Sequence, residues 1–284
     1  MGRKQATAVG GIAILLWALL ALFTVGSVPV PPFQLNAICF GIGGVLGLIY
    51  VGATGGFSAL YTISWRIYAF GTLGLFGYHF LYFSALRMAP AAEAGLIAYL
   101  WPLLIVLYSG LLPSETLRRG HIIGAVLGFL GAGLLVAGGG VGFETGAIAG
   151  YVLALVAANV WTGYSVISRR LGDVATASVA VFCLCSAVLS TLAHFTFEVT
   201  AWPSGQWGWA SIIGLGIGPV GLAFYVWDVG VKRGDIQLLG TLSYGAPLLS
   251  TAALVLAGFA EASMVLVLAA VLITLGAVIA ARAR

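Results

Sequence analysis

Charged residues are scarce in this chain, and their scarcity excludes whole classes of protein. Asp, Glu, Lys and Arg make up 7% of the 284 residues, whereas hydrophobic residues make up 61% and the mean hydropathy is +1.11. A water-soluble domain of this size could not cover its surface with so few polar groups. The net charge of +4 does not indicate a nucleic-acid partner, because almost no basic surface is left outside the apolar segments.

Cysteine and the motifs of catalysis are also nearly absent. The three cysteines, Cys39, Cys183 and Cys185, lie in apolar runs and are interpreted as small packing residues. The chain has no Gly-x-Ser-x-Gly, no His-Glu-x-x-His and no aspartate pair at membrane depth, which a hydrolase acting within the membrane would need. A channel is disfavoured as well, because there is no filter motif. The sequence therefore predicts no enzyme, no catalytic residue, no cofactor and no metal site.

Long apolar runs are what the chain does have. A bilayer core about 30 Å thick requires roughly 20 apolar residues per helical span. Ten such segments follow one another with short connections, so we expect an all-α integral membrane protein without a soluble domain. The predicted spans 1 to 10 run near 8–26, 34–52, 67–86, 91–109, 120–139, 147–168, 175–196, 208–228, 237–257 and 263–281.

The distribution of Lys and Arg predicts how the spans are oriented. Short loops rich in these residues stay in the cytoplasm. With both termini in the cytoplasm, eleven of the twelve basic residues lie on that side and only Arg87 lies outside. Glu144, Glu198 and Glu261 then fall in outer loops. We therefore expect a multi-pass protein with both termini cytoplasmic.

An internal repeat relates the two halves of the chain. Tyr99 and Pro102 recur as Tyr244 and Pro247, 145 residues later, each pair in the middle of an apolar run. Five spans per half is an odd number, so the halves must enter the membrane from opposite sides. The prediction is one membrane domain built from two inverted five-helix repeats, 1–142 and 143–284, around a central cavity and divided near 140–146. The same or nearly the same offset relates Trp17 to Trp161, Tyr82 to Trp227, Arg87 to Lys232 and Gly131 to Gly276.

Prolines within the spans predict where helices break, as broken helices of inverted repeats do in secondary transporters. Pro102 cannot donate to the carbonyl of Ala98, nor Pro247 to that of Ser243, so each is expected to leave a polar oxygen inside the membrane. Such an oxygen could accept a hydrogen bond from a substrate ammonium group. The alternative is a kink satisfied by neighbouring Ser or Thr. Pro219 lies in a glycine-rich run of span 8, which is either a hinge or a close-packing surface.

Aromatic side chains inside the spans are the candidate substrate-binding residues. His79 shares one face of span 3 with two tyrosines, and it either lines a cavity or is a neutral imidazole bonded to a neighbouring tyrosine or carbonyl. Trp101 joins the same wall only if the break at Pro102 rotates it. The predicted set is Trp17, Tyr78, His79, Tyr82, Tyr99, Trp101, Trp161, Trp227 and Tyr244, with Pro102, Pro219 and Pro247 as helix breaks or gating points.

Acidic residues are missing from the middle of the spans. Glu93 lies in the first turn of span 4 and Asp228 at the end of span 8, so both are interpreted as interfacial charges. Without a carboxylate at mid-depth, facilitated movement down a gradient is favoured. Proton coupling through His79, Glu93 or Asp228 is the alternative.

These features resemble the drug/metabolite transporter superfamily, in its EamA-like branch. The resemblance is carried by the ten spans, the inverted halves, the basic residue before span 4 and the proline within that span. Within the branch, the run Tyr78–Leu86 and the segment Ala94–Pro102 look most like bacterial YddG-type aromatic amino acid exporters.

The resemblance implies an exporter in the bacterial inner membrane that moves aromatic and other neutral, apolar amino acids by alternating access. Its partners would be this small-molecule substrate and the lipid bilayer, with no nucleic acid. Ten spans can enclose a cavity in a monomer. Related branches use similar scaffolds for other small metabolites and hydrophobic drugs, and a proton-coupled exporter of that kind is the alternative expectation.

Overall fold

The protein is helical throughout the residues that its computed structural model describes, which are 1–113, 115–137, 142–256, 258, 261 and 263–283. Over these residues short turns join the helices and there is no β-strand. A 3-10 turn (Thr145–Ala147) precedes α9, and a π-helical turn (Gly218–Leu222) joins α11 to α12. The α-helices are α1 (Arg3–Ala18), α2 (Leu20–Gly26), α3 (Pro32–Ala53), α4 (Phe57–Tyr61), α5 (Trp65–Met88), α6 (Ala91–Ala98), α7 (Trp101–Ser109), α8 (Arg119–Ala137), α9 (Ile148–Arg170), α10 (Ser178–Phe197), α11 (Gly205–Ile217), α12 (Ala223–Arg233), α13 (Ile236–Leu242), α14 (Gly245–Leu256) and α15 (Met264–Arg282).

These helices form the ten membrane spans that the apolar runs predict. Among the described residues, nine helical segments are long and apolar enough to cross a membrane. The tenth is α5, which has 24 residues but is less apolar because it includes Tyr78, His79 and Tyr82. The predicted span ends at 138–139 and 257, and part of the predicted division at 140–146, lie outside the described residues.

Four of the spans are interrupted. Span 4 breaks between α6 and α7 at Tyr99 and Leu100, and span 9 breaks between α13 and α14 at Ser243 and Tyr244. The two breaks fall at matching points of the two repeats, which confirms the inverted-repeat prediction. Span 1 also bends at Leu19, between α1 and α2, and span 8 passes through the π-helical turn.

Glycines allow the spans to approach one another closely. A Cβ added to Gly124 of α8 would lie 2.5 Å from the carbonyl oxygen of Gly276 in α15. A Cβ on Gly43 of α3 would lie 2.7 Å from the Cα of Gly221 in the π-helical turn. No side chain larger than hydrogen fits at these contacts, which are typical of tight helix pairs in membranes. The glycine-rich run of span 8 is therefore a packing surface that also contains a local change in helical pitch.

The bundle has two faces, which we call the terminal face and the opposite face. The terminal face carries both chain termini, because the number of spans is even. Near the terminal face α7 packs against α13, and α12 packs against α9. Nearer the opposite face α6 packs against α9 and α14 against α1, but α6 and α14 form no packed pair among the described residues. The two broken spans thus meet in their terminal-face halves and stand apart in their opposite-face halves.

Candidate functional site

Four tryptophans meet at the centre of the bundle, where the two repeats face each other. Trp17 comes from α1, Trp101 from α7, Trp161 from α9 and Trp227 from α12. The ring centroid of Trp17 lies 6.0 Å from that of Trp101, 6.0 Å from that of Trp161 and 5.1 Å from that of Trp227. Four of the six pairs are edge-on, a favourable arrangement for aromatic rings. We call these four residues the tryptophan cluster.

Hydrogen bonds fix two of these indoles in place. Nε1 of Trp17 donates to the carbonyl oxygen of Pro219 at 3.1 Å, so the π-helical turn of span 8 supplies an acceptor. Nε1 of Trp227 donates to the hydroxyl oxygen of Ser165 at 3.1 Å. A buried indole N–H usually needs such a partner, and here the partners come from the other spans that line the centre. Pro219 therefore contributes to the site through its carbonyl group.

The helix break in span 4 is what brings Trp101 into the cluster. Tyr99 and Leu100 lie outside both half-helices, and α7 begins afresh at Trp101. The hydroxyl group of Thr162 donates to the carbonyl oxygen of Trp101 at 3.2 Å and ties the start of α7 to α9. Trp101 therefore contacts the other tryptophans as the first residue of the half-helix that follows the break.

A wall of tyrosines extends from the cluster toward the opposite face. The ring of Tyr78 lies 5.6 Å from Trp161 and stacks on Tyr82 at 5.9 Å with an interplanar angle of 5°. Tyr78, Tyr82, Tyr99 and Trp17 are all only half-buried, although spans surround them. Rings in the interior of a bundle that keep accessible surface border open space. That these rings line a substrate cavity stays a prediction.

His79 lies behind this wall. Its Nδ1–H donates to the carbonyl oxygen of Leu75 at 2.7 Å, one turn earlier in the same helix. The imidazole packs edge-on against Phe40 at 5.1 Å and Tyr78 at 5.2 Å. Of the two interpretations that the sequence left open, the structure shows the imidazole bonded to a carbonyl group. The ring still touches the tyrosine wall, so His79 stays a predicted site residue at its edge.

Tyr244 is fully buried and connects the two broken spans. Its hydroxyl oxygen accepts a hydrogen bond from the main-chain N–H of Leu103, the third residue of α7, at 2.9 Å. The N–H groups of a first helical turn have no partner within the helix, so Tyr244 satisfies one of them from the other repeat. The ring packs among Ala132, Ile273 and Phe129 and borders no open space in this conformation.

The carbonyl group at the break in span 9 differs from the prediction, whereas that of Ala98 in span 4 stays a prediction. The carbonyl oxygen of Ser243 is not free, because the N–H of Ala246 donates to it at 3.1 Å within a tight turn. The expectation that Pro247 leaves this oxygen unsatisfied is therefore wrong. At the other break, Leu103 donates to Tyr244, and the carbonyl oxygen of Tyr99 accepts no hydrogen bond from a described residue.

An ionic network closes the terminal face, and sequence reasoning missed it. Glu115, in the turn after α7, is buried and accepts hydrogen bonds from the guanidinium groups of both Arg3 and Arg169. Arg169 also donates to the carbonyl oxygen of Gly234 at 2.6 Å, which ties α9 to the turn between α12 and α13. Arg3 and Arg169 were interpreted from the sequence only as markers of topology. The one available signal was Glu115 itself, an acid in a basic loop of a chain with eight acidic residues.

Asp228 and Glu93, which were interpreted as interfacial charges, are both buried within the protein. Asp228 pairs with the buried amine of Lys232 at 2.9 Å and accepts a hydrogen bond from Thr176 at 2.7 Å. Glu93 accepts a hydrogen bond from the main-chain N–H of Gly142 at 2.8 Å. Buried carboxylates persist where such partners satisfy them, and sequence position alone does not show these partners.

The fold and the site together define a class of protein. Inverted repeats, helix breaks at matching points and an aromatic site between the repeats are the architecture of a secondary transporter. The chain is a multi-pass membrane transporter and not an enzyme.

Comparison with known proteins identifies the family of the chain. Residues 8–137 match the EamA-like transporter family. The chain is 51% identical over 282 residues to the aromatic amino acid exporter YddG of Ancylobacter novellus, an alignment covering 99% of this chain and 98% of that protein. It is 26% identical over 266 residues to the aromatic amino acid exporter YddG of Escherichia coli, covering 89% and 88% of the two chains. A crystal structure of a protein with 52% sequence identity matches with a TM-score of 0.96 over 100% of this chain and 99% of the other.

The chain therefore belongs to the EamA-like transporter family, in the drug/metabolite transporter superfamily, and it is of the YddG type. This confirms the family that the sequence resembles and the fold that the resemblance implies. The assignment of individual site residues stays a prediction.

Proposed function

We propose that this protein exports amino acids, aromatic and other neutral, apolar ones, across the bacterial inner membrane. The observation that carries the proposal is the tryptophan cluster with its tyrosine wall at the interface between the repeats. The partly exposed rings of Trp17, Tyr78 and Tyr82 suit an apolar or aromatic side chain. The name of the relatives, aromatic amino acid exporter, supports the same substrate class.

The site also offers groups for both charges of an amino acid. A substrate ammonium over a tryptophan face would gain about 0.5–2 kcal/mol. The carbonyl oxygen of Tyr99, which accepts no hydrogen bond from the described residues, is a second acceptor for that ammonium. The first turn of α7 begins at Trp101 and directs its positive helix dipole toward the cluster, where it would favour the substrate carboxylate.

We infer that the terminal face is cytoplasmic, with both termini inside, because it carries eleven of the twelve basic residues. The repeats then correspond to 1–142 and 143–284. In this orientation the broken spans are packed together on the cytoplasmic side and separated on the outer side. The Arg3–Glu115–Arg169 network would act as the closed inner gate of an outward-facing conformation.

Alternating access follows from the inverted symmetry. An offset of 145 residues relates Tyr244 to Tyr99 and Leu103 to Leu248. In this conformation the hydroxyl group of Tyr244 accepts a hydrogen bond from the N–H of Leu103. Among the described residues no hydrogen bond joins Tyr99 to Leu248, although both side chains pack against the buried cluster of Ala132, Tyr244 and Ile273. In the inward-facing conformation the outer halves α6 and α14 would pack together. Tyr99 would then accept a hydrogen bond from the N–H of Leu248, and the bond between Tyr244 and Leu103 would be broken.

The proposed transport is facilitated and follows the substrate gradient. No carboxylate lines the tryptophan cluster, and the nearby carboxylate of Asp228 is committed to Lys232 and Thr176. A proton would have to displace these partners to bind there.

Purified protein in liposomes tests the proposal. The influx of labelled phenylalanine, tryptophan, methionine and threonine would be compared with that of empty liposomes, with and without an imposed pH gradient. We expect saturable flux of the apolar amino acids that a pH gradient does not drive. Absence of saturable flux for all four substrates would exclude an amino acid transporter, and accumulation driven by the pH gradient would show proton coupling.

A further inference from the structure

A cavity lies on the terminal face, away from the tryptophan cluster. It forms between the first residues of α8 and the last residues of α15 and has a volume of about 480 Å³. The cavity is shallow and largely open to its surroundings. Its lining residues are Arg118, Arg119, Gly120, Ile279, Arg282 and Ala283.

The charge of this cavity is of one sign. Three of its lining residues are arginines and none is acidic. A neighbouring cavity of about 330 Å³ also includes basic residues, but Glu115 and Asp235 line it too. The cavity between α8 and α15 is therefore the stronger anion site. A planar guanidinium group can donate two parallel hydrogen bonds to two oxygens of one phosphate, so arginine suits a phosphodiester.

A stripe of exposed apolar side chains runs from each side of the cavity along the helix into the membrane. On α8, Arg119 is followed at helical spacing by the exposed side chains of Ile123 (51%), Val126 (40%) and Leu130 (52%). These residues share one face of the helix with the arginine. A ligand held at Arg119 would therefore lie at the top of an apolar stripe.

The end of α15 repeats this arrangement. Arg282 is preceded at helical spacing by Val278 (40% exposed), Leu275 (50%) and Val271 (50%). α15 has 19 residues and is about 28 Å long, so Arg282 stands at the level of the lipid headgroups when the helix spans the hydrocarbon core. The two stripes begin at the same cavity.

We propose that this cavity binds the phosphate group of an anionic phospholipid, whose acyl chains follow the two apolar stripes. A free anion would use the arginines but not the stripes, whereas a zwitterionic lipid would use the stripes but gain less from the three arginines. Basic pockets between membrane helices are typical sites for anionic headgroups. The inference does not depend on which substrate the transporter moves.

Lipid-dependent thermal unfolding of the wild-type protein tests the proposal directly. Purified protein in a nonionic detergent would be titrated separately with dioleoyl phosphatidylglycerol, dioleoyl phosphatidylcholine and glycerol phosphate. We expect a saturable rise in unfolding temperature with phosphatidylglycerol alone. An equal rise with phosphatidylcholine would overturn the proposal in favour of an apolar groove, and saturation by glycerol phosphate with equal affinity would overturn it in favour of a free-anion site.

Matched variants locate the site. Arg119→Ala/Arg282→Ala removes two charges from the cavity, and Arg66→Ala/Arg233→Ala removes two exposed charges elsewhere on the terminal face. We expect phosphatidylglycerol to bind about 30-fold more weakly to the first variant and unchanged to the second. Equal affinity in both variants would place the lipid elsewhere. The wild-type titration decides the lipid class even if the first variant does not fold.

Discussion

The hydroxyl oxygen of Tyr244 accepts a hydrogen bond from the main-chain N–H of Leu103, 2.9 Å away and 141 residues earlier in the chain. The bond joins the break in span 9 to the first turn of the half-helix that follows the break in span 4. Each partner comes from a different repeat. The side chain of Tyr244 thus links the break in span 9 to the terminal-face half of span 4.

Removing this hydroxyl group should shift the protein toward the conformation closed at the opposite face. Tyr244→Phe leaves the N–H of Leu103 without its acceptor, which costs about 1–3 kcal/mol in this conformation alone. Tyr99→Phe is the matched control, because its hydroxyl group bonds only in the other conformation that we propose. Double electron–electron resonance between labels on the outer halves of spans 4 and 9 would measure the shift.

The labels would be attached through Ala91→Cys on α6 and Leu256→Cys on α14, both exposed, with the three native cysteines replaced by alanine. We expect a shorter distance in Tyr244→Phe and the original or a longer distance in Tyr99→Phe. The same distance distribution in both variants would contradict the exchange of the two tyrosine contacts.

The ionic network on the terminal face should contribute measurably to stability. Glu115→Gln removes the charge that pairs with Arg3 and Arg169, and the carboxylate is only 2% exposed. Loss of a buried pair costs about 3 kcal/mol, at the lower end of the usual range because Arg3 is half exposed. Thermal unfolding in detergent should show a clear decrease for Glu115→Gln. Glu144→Gln changes an exposed acid and is the control, so its unfolding temperature should change little. An equal unfolding temperature in the two variants would mean that the ionic network does not stabilise the protein.

Truncation of the tryptophan cluster should impair transport without preventing insertion. Trp161→Ala removes a ring that contacts Tyr78 and the other three tryptophans, so kcat/KM for phenylalanine should fall about tenfold to a hundredfold. Trp202→Ala, an interfacial residue that is 57% exposed, should keep the wild-type rate. Flux into liposomes at matched protein content measures both. An unchanged rate in Trp161→Ala would remove the cluster from the substrate path.

The glycine contact between α8 and α15 should not tolerate a methyl group. Gly124→Ala places a Cβ 2.5 Å from the carbonyl oxygen of Gly276, so the helices must separate and the unfolding temperature should fall. Gly41→Ala on α3 is the control, since nothing lies within 4 Å of its added Cβ and alanine favours a helix by about 1 kcal/mol. Its unfolding temperature should stay the same or rise. A similar loss in both variants would contradict the packing argument, because helix propensity favours alanine at both positions.

Much of this architecture is predictable because its signals are local. An apolar run of about 20 residues shows a span wherever it occurs, and an odd number of spans per repeat requires inversion. The predicted breaks at Pro102 and Pro247 follow from the missing N–H of proline. The four tryptophans that meet at the centre could be named in advance because each lies inside an apolar run.

Other features of the site depend on partners that the sequence does not place. Ser243 was expected to present a free carbonyl group, but a tight turn to Ala246 satisfies it. Asp228 was interpreted as an interfacial charge, yet it is buried against Lys232 and Thr176. In each case the outcome depends on a second backbone or side-chain group whose position only the packed helices define.

Composition and periodicity by themselves determined that this chain is a ten-span membrane protein of two inverted repeats with aromatic residues at its centre, because hydropathy and helical spacing act within each span. The tertiary structure decided that Tyr244 caps α7, that Glu115 ties Arg3 to Arg169, and that the outer halves of the broken spans stand apart. These contacts join residues 54 to 141 positions apart, so they depend on how the repeats pack and not on any local pattern.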